Sequence, residues 1–285
     1  MDQSVAQTIT EATNRLIAAG IGTARLDAEL LLSYLLKCER LALLTFQTPV
    51  GTATESRFAQ LLARRIAGEP VAYITGVQAF WQHDFHVNSY TLIPRQDTET
   101  LVELALKELA DFPRPHILDL GTGSGCILLS LLAEIEDATG VGLDVSVEAL
   151  EIARKNASSL GLGDQAAFLE GNWFDGLMSG QHFDCIVANP PYIPSKDIGG
   201  LMKEVRMHEP LSALDGGSDG LAPYQIIAQG AGGFLKPGGL LAVEVGIGQA
   251  GSVADFFAAS GFGNVEISRD LPGIDRVVSA RKVAE

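Results

Sequence analysis

Cysteine is scarce in this 285-residue chain, which holds only Cys38, Cys126 and Cys185. The three are far apart and each lies inside an apolar pattern. Neither a disulfide framework nor a zinc cluster is expected, and they read as buried, reduced thiols. Histidine is nearly as rare, with five residues. His83 and His86 stand close together, but no His-x-x-x-His or matching carboxylate cluster accompanies them, so no metal is expected. Positive charge is also short: 20 Lys and Arg against 35 Asp and Glu leave a formal charge of −15. That balance disfavours tight binding to nucleic-acid phosphates, whose affinity comes from Lys and Arg contacts. No apolar run approaches the roughly 20 residues that span a bilayer. Met1-Asp2-Gln3 opens without the basic and apolar regions of an export signal. A cytoplasmic globular protein with no membrane partner is expected, and 47% hydrophobic residues supply ample material for its core.

The pattern changes character near residue 90. Before Gly76, residues 4–19, 24–36 and 54–67 carry apolar side chains at helical spacing, separated by Gly20-Ile21-Gly22 and Thr48-Pro49-Val50-Gly51. Residues 1–76 therefore read as a small helical domain. Over residues 77–92 the aromatics Phe80, Trp81, Phe85 and Tyr90 alternate with polar residues around His83-Asp84, the pattern of a β-hairpin linker. From residue 93 to 285 strands and helices alternate. Strands are expected over residues 115–120, 141–144, 166–169, 183–187, 240–245, 265–268 and 276–280. The fold class is α/β, with a seven-stranded, mostly parallel sheet wrapped by helices.

Two loops at strand ends carry the chemistry. Pro115-His116-Ile117-Leu118-Asp119-Leu120 runs into Gly121-Thr122-Gly123-Ser124-Gly125 and then a helix from about Cys126. The spacing is G-x-G-x-G, and no Lys-Ser or Lys-Thr follows, so neither a dinucleotide fingerprint nor a P-loop is matched. Glycines there let a ligand approach the backbone. A second strand ends in Asp144, where a carboxylate can accept from both hydroxyls of a ribose or simply cap the helix over residues 145–160. The apolar run Phe183-Asp184-Cys185-Ile186-Val187-Ala188 ends in Asn189-Pro190-Pro191-Tyr192. Consecutive prolines stiffen that turn and remove its donors. The Asn189 side-chain oxygen and the Pro190 carbonyl can then grip both N–H bonds of a planar NH2 group. A plain strand-ending turn is the competing account.

With these motifs in this order, the chain resembles the class I S-adenosylmethionine-dependent methyltransferases, whose fold is Rossmann-like. More narrowly it resembles the protein-(glutamine-N5) methyltransferases of peptide-chain release factors. Flanking strings carry the narrower likeness: Arg25-Leu26-Asp27-Ala28-Glu29-Leu30-Leu31-Leu32, residues 68–76, and Leu92-Ile93-Pro94-Arg95-Gln96-Asp97-Thr98-Glu99. Later strings are Glu209-Pro210 with Leu214, residues 216–220, Leu235-Lys236-Pro237-Gly238-Gly239 and Asp275-Arg276.

The resemblance implies that Gly121, Thr122, Gly123, Ser124 and Gly125 pass the methionine part of S-adenosylmethionine, that Asp144 takes the ribose, and that Asn172 and Trp173 cover the adenine. Asn189 borders both cofactor and substrate. Family members often carry Asp where this chain has Asn172, which keeps an acceptor for the adenine amino group but gives up a charge. Trp173 can stack on the adenine or fill the core. Asn189, Pro190, Pro191 and Tyr192 are implied to bind the substrate glutamine, with Asn189, Pro190 and Tyr192 catalytic. Tyr192 either shapes the glutamine slot or braces the turn. Arg95 and Glu99 are secondary candidates for shaping the cofactor pocket or the partner surface, and Thr98 or Asp97 can cap the following helix. The helical domain is implied to recognise the release factor, whose Gly-Gly-Gln loop presents the glutamine, or else to stabilise the enzyme. Competing functions are a ribosomal-protein glutamine methyltransferase, an adenine-N6 methyltransferase, which the acidic balance disfavours, and a non-catalytic cofactor-binding protein.

Overall fold

The computed structural model describes residues 4–46 and 48–283; Met1-Asp2-Gln3, read above for an export signal, lies outside them. The chain forms two compact units, Met1–Val77 with Met202–His208 and Gln78–Leu201 with Glu209–Glu285.

The first unit is helical. In α1 (Val5–Ala18), Val5, Ile9, Ala12 and Leu16 are buried at helical spacing. Ser4 starts the helix through a capping box: its hydroxyl accepts from Gln7 N at 3.3 Å while Gln7 Oε1 accepts from Ser4 N at 3.0 Å. Helices α2 (Ala24–Leu36), α3 (Thr52–Ala67) and α4 (Val71–Thr75) follow. Arg65 on α3 donates to Asp27 on α2 at 2.6 Å, with both side chains 6% exposed. Arg65 also reaches Glu204 at 2.7 Å, on a short helix from further along the chain, Lys203–His208 (α8). A buried charge pair of this kind is costly to break one partner at a time.

A hairpin of β1 (Val77–Phe80) and β2 (His83–His86) leads into the second unit, all of it but Val77 belonging there. After α5 (Glu99–Glu108) come β3 (His116–Leu120), α6 (Cys126–Glu134), β4 (Thr139–Asp144), α7 (Val147–Ser159), β5 (Ala166–Glu170) and β6 (Phe183–Ala188). The unit continues beyond α8 with α9 (Ala222–Phe234), β7 (Leu235–Glu244), α10 (Ala250–Ala259), β8 (Phe262–Arg269) and β9 (Asp275–Lys282). The seven strands expected from the sequence form one sheet in the order β5-β4-β3-β6-β7-β9-β8, parallel except for β9, which runs antiparallel to both neighbours. Successive strand residues feed opposite cores. Ile117, Cys185 and Val187 pack under α5, α6 and α7, whereas Leu118, Ile186 and Val243 pack under α9 and α10. All six residues of β6 are buried, as a central parallel strand requires.

Register places the functional loops. Strand order reverses between β3 and β6, the switch point where such sheets bind ligands beyond their carboxyl ends. Leu120 pairs with Leu143 on one side and Ala188 on the other, and Ala188 pairs with Val243. The next residue of each strand therefore emerges in one row: Asp144, Gly121, Asn189 and Glu244.

Candidate active site

Gly121, Gly123 and Gly125 all have left-handed backbone, with φ of 71°, 56° and 80°. Only glycine adopts three such residues in five without strain, so the turn itself demands the G-x-G-x-G spacing. The turn is tied down from below. Thr122 N donates to Leu143 O at 2.8 Å, and the Thr122 hydroxyl donates to Asp119 Oδ2 at 2.7 Å. Asn156 of α7 holds it from the side, donating to Ser124 O at 2.8 Å and bonding both the N–H and the C=O of His86 on the hairpin. A Cβ on Gly142, in β4, would lie 2.8 Å from the Thr122 hydroxyl, so the neighbouring strand must also be bare there.

Asp144 is not the helix cap: that part falls to Ser146, whose side chain accepts from Ala149 N at 3.1 Å. Asp144 instead accepts from Gly123 N and Ser146 N, both at 2.9 Å, one on each carboxylate oxygen. Burial raises its pKa, and the N–H groups of Ser146, Gly123 and Val145 oppose the rise. Gly171 opens the turn after β5; a Cβ there would meet Asp175 O at 2.0 Å. The turn carries Asn172, exposed, and Trp173, half-buried against the core with φ of 55°.

The Asn189 turn is braced by a second loop. Ile193 N donates to Leu214 O at 3.0 Å, Gly216 N to Ile193 O at 2.9 Å, and Ser195 N to Gly217 O at 2.8 Å. Gln249 Nε2 donates to Tyr192 O at 2.9 Å and to Gly220 O at 3.3 Å. The contact is too close for side chains: a Cβ on Gly216 would fall 2.7 Å from Pro191 O, and one on Gly220 2.2 Å from Tyr192 O. Tyr192 turns its ring toward the core under α9 and α10, with its hydroxyl 3.5 Å from Glu244 Oε1. Burial, with Glu244 adding to it, pushes the phenol up to about 12, so it stays protonated and donates.

These elements line one cavity. Gly121, Thr122, Gly123, Ser124, Asp144, Asn172, Trp173, Asn189 and Pro191 all face it; Gly125, Pro190 and Tyr192 are not among its lining residues. Tyr90, Leu92, Pro94, Arg95, Pro210, Ser212 and Ala213 line it as well. Arg95 is ion-paired with the buried Glu209, which also accepts from Ile93 N at 3.3 Å. Glu99 lies elsewhere, accepting from Trp81 N at 2.9 Å. Cys126 lines the cavity, but burial pushes its thiol up to about 12, so it offers no thiolate.

Sequence reasoning missed Glu244 and misread Thr98. Thr98 stands at the start of α5 without a side-chain capping bond. It accepts instead from Asn189 Nδ2 at 3.2 Å. Asp97 is not a cap either, since it pairs with Arg276 at 3.2 Å. Glu244 is 1% exposed, and burial pushes its carboxyl up to about 7. A carboxylate inside the apolar run 240–245 is an anomaly that could have flagged it.

The sheet order and the cavity at its switch point define a class I methyltransferase, and residues 113–245 match the Methyltransferase domain family. A solved methyltransferase from Pyrococcus furiosus shares this fold, with a TM-score of 0.52 and 18% identity, covering 79% of this chain and 100% of that one. Residues 7–76 match the PrmC N-terminal domain family. The chain belongs to the release factor glutamine methyltransferase family. A relative so named from Bradyrhizobium diazoefficiens is 46% identical over 94% of this chain and 92% of its own length. Another, from Caulobacter vibrioides, is 44% identical over 94% and 93%.

Proposed function

We propose that this chain transfers a methyl group from S-adenosylmethionine to the side-chain amide nitrogen of the glutamine in the Gly-Gly-Gln loop of peptide-chain release factors. The observation that carries this reading is the register row, which sets an amide acceptor, Asn189, beside the bare glycine turn at Gly121 and the carboxylate of Asp144. The residues fit the cofactor. A Cβ on Gly121 would meet nothing within 4 Å, so the turn has open space on that side, and the carboxylate residue Asp144 lines the same cavity. Gly121 to Gly125 would hold the methionine part, Asp144 the ribose, and Asn172 with Trp173 the adenine. Asn172 retains the acceptor that the adenine amino group needs.

S-adenosylmethionine supplies, when bound, a methyl group made electrophilic by its sulfonium. The difficulty lies with the acceptor, because a carboxamide nitrogen delocalises its lone pair into the carbonyl. Asn189 Oδ1 and the Pro190 carbonyl accept the two N–H bonds of the glutamine, orient the nitrogen and favour localisation of the lone pair. Holding the reactants in line can contribute up to about 7 to 11 kcal/mol to such a displacement. The methylated nitrogen then loses one proton to water, and no strong base is needed. Tyr192 braces the turn from behind. The first unit recognises the release factor, and the reaction takes place in the cytoplasm.

The test is transfer of labelled methyl to a purified, unmodified release factor, with mass spectrometry locating the product and a glutamine-substituted release factor as control. Methylation of that glutamine alone is expected. Transfer at another residue, or none despite cofactor binding, would reject the substrate assignment and turn attention to ribosomal proteins.

A further inference from the structure

We propose that Gln249 is a positioning residue for methyl transfer, a clamp that holds the carboxyl end of the Asn189 turn and so aims the Pro190 carbonyl. The inference rests on the reading of Asn189 and Pro190 given above. Gln249 lies 57 residues beyond Tyr192, at the start of α10, yet its side chain makes no capping bond to that helix. It bonds across to three other segments instead. Nε2 donates to Tyr192 O at 2.9 Å and to Gly220 O at 3.3 Å, while Oε1 accepts from Gly246 N at 2.9 Å. The Tyr224 hydroxyl lies 3.5 Å from the same oxygen. The first three partners are backbone atoms: a carbonyl only accepts and an N–H only donates, so the direction of the amide is fixed at both ends. Two glycines clear the space that it fills. A Cβ on Gly246 would fall 2.7 Å from Oε1, and one on Gly220 2.7 Å from Nε2.

The turn needs such a hold from outside. Pro190 and Pro191 have no N–H, so the two residues between Asn189 and Tyr192 cannot tie themselves down with backbone donors. Their fixed φ makes them a stiff link, through which the placement of Tyr192 O passes back to Pro190 O. Asn189 is held separately, since it follows β6 directly and its Nδ2 donates to Thr98 Oγ1 at 3.2 Å. Losing the clamp therefore disturbs the Pro190 half of the grip on the glutamine NH2. None of the bonds of Gln249 reaches the glycine turn or Asp144, so the cofactor residues keep their places.

The experiment measures kcat and KM for methyl transfer to unmodified release factor, with cofactor Kd by calorimetry and melting temperature as a check on folding. Gln249→Met keeps the length and removes every bond; Gln249→Asn keeps the amide but is one methylene short of spanning Tyr192 O and Gly246 N together. In both, kcat is expected to fall about tenfold to a hundredfold, as small misplacements of a reacting group do, with KM and Kd changed less than about threefold. Asp184→Ala is the control for lost stability alone. Asp184 accepts from His116 N at 2.8 Å and Lys236 Nζ at 2.7 Å at the amino ends of β3 and β6, so its loss lowers the melting temperature and leaves kcat as in wild type. Asn189→Ala separates this inference from its foundation. If Asn189→Ala is severely impaired while Gln249→Met or Gln249→Asn turns over like wild type, the clamp is overturned and the role of Asn189 stands. Losses confined to KM or Kd, or an equal kcat loss in Asp184→Ala, overturn the clamp as well. Wild-type kcat in Asn189→Ala overturns both.

Discussion

Replacing Asp119 by Asn should stabilise the cofactor-free enzyme at pH 8 relative to its effect at pH 5. Asp119 is fully buried beneath the glycine turn; Oδ2 accepts from Thr122, and Oδ1 has no hydrogen-bond partner. Burial raises the carboxyl from 3.8 to about 7, opposed by the Thr122 hydroxyl and the Leu128 N–H and assisted by the charge of Asp144. The folded value lies above the unfolded one, so folding takes up a proton between those pH values. Stability from this group is therefore full below the unfolded value, declines as pH rises toward 7 and is level beyond it. Each pKa unit is worth about 1.4 kcal/mol, so the roughly two units between pH 5 and 7 amount to about 3 kcal/mol as an upper bound. Asparagine keeps an acceptor for Thr122 and carries no titrating proton. Urea denaturation of both proteins at pH 5 and pH 8 gives two stability differences, and subtracting them cancels groups that titrate alike in both. A change of about 2 to 3 kcal/mol in favour of Asn at pH 8 is expected. A change below about 1 kcal/mol, or of opposite sign, would refute the claim that this carboxyl titrates near neutrality.

Asn189→Ala should reduce kcat on the order of a hundredfold, as losing one aimed hydrogen-bonding group does elsewhere, and leave cofactor Kd nearly unchanged by calorimetry. Asp144→Asn turns one acceptor atom into a donor against the N–H groups of Gly123 and Ser146; calorimetry should show cofactor affinity falling by about tenfold or more. Gly220→Ala places a Cβ 2.2 Å from Tyr192 O at a φ of 76°. It should cost about 1 to 3 kcal/mol in urea denaturation and lower kcat more than it weakens cofactor binding. Asp27→Ala leaves Arg65 buried with only the half-exposed Glu204 as counter-charge, so a loss of about 3 kcal/mol is expected.

The sheet was legible because parallel strands are apolar throughout: runs such as 183–188 and 116–120 announce themselves without any partner. The glycine turn was legible because left-handed backbone restricts residue choice to glycine. Strand ends were harder. β7 begins at Leu235, five residues before the apolar run, since Lys236-Pro237-Gly238-Gly239 pairs little and carries no periodic signal. The polar residues behind Asn189 were hidden for another reason. Thr98 sits in a sequence slot that suits a helix cap, and only the approach of Asn189, 91 residues away, shows its other use. The flanking string at Arg25 to Leu32 marked the family, but sequence did not show why it is built so. Asp27 holds a buried arginine, and Glu29 pairs with Arg25 and Arg40.

The last of the described strands in chain order, β9, does not lie at the margin of the sheet but between β7 and β8, with Val277 opposite Glu244. A chain leaving the ribosome therefore possesses Gly121, Asp144, Asn189 and Glu244 well before it can close the sheet around them. Until residues 275–282 insert, β7 offers an open hydrogen-bonding edge next to Glu244, the kind of edge that recruits foreign strands. Closing this edge thus depends on a strand that follows all the others in chain order, and a product truncated before residue 275 would be an aggregation hazard rather than a slow enzyme.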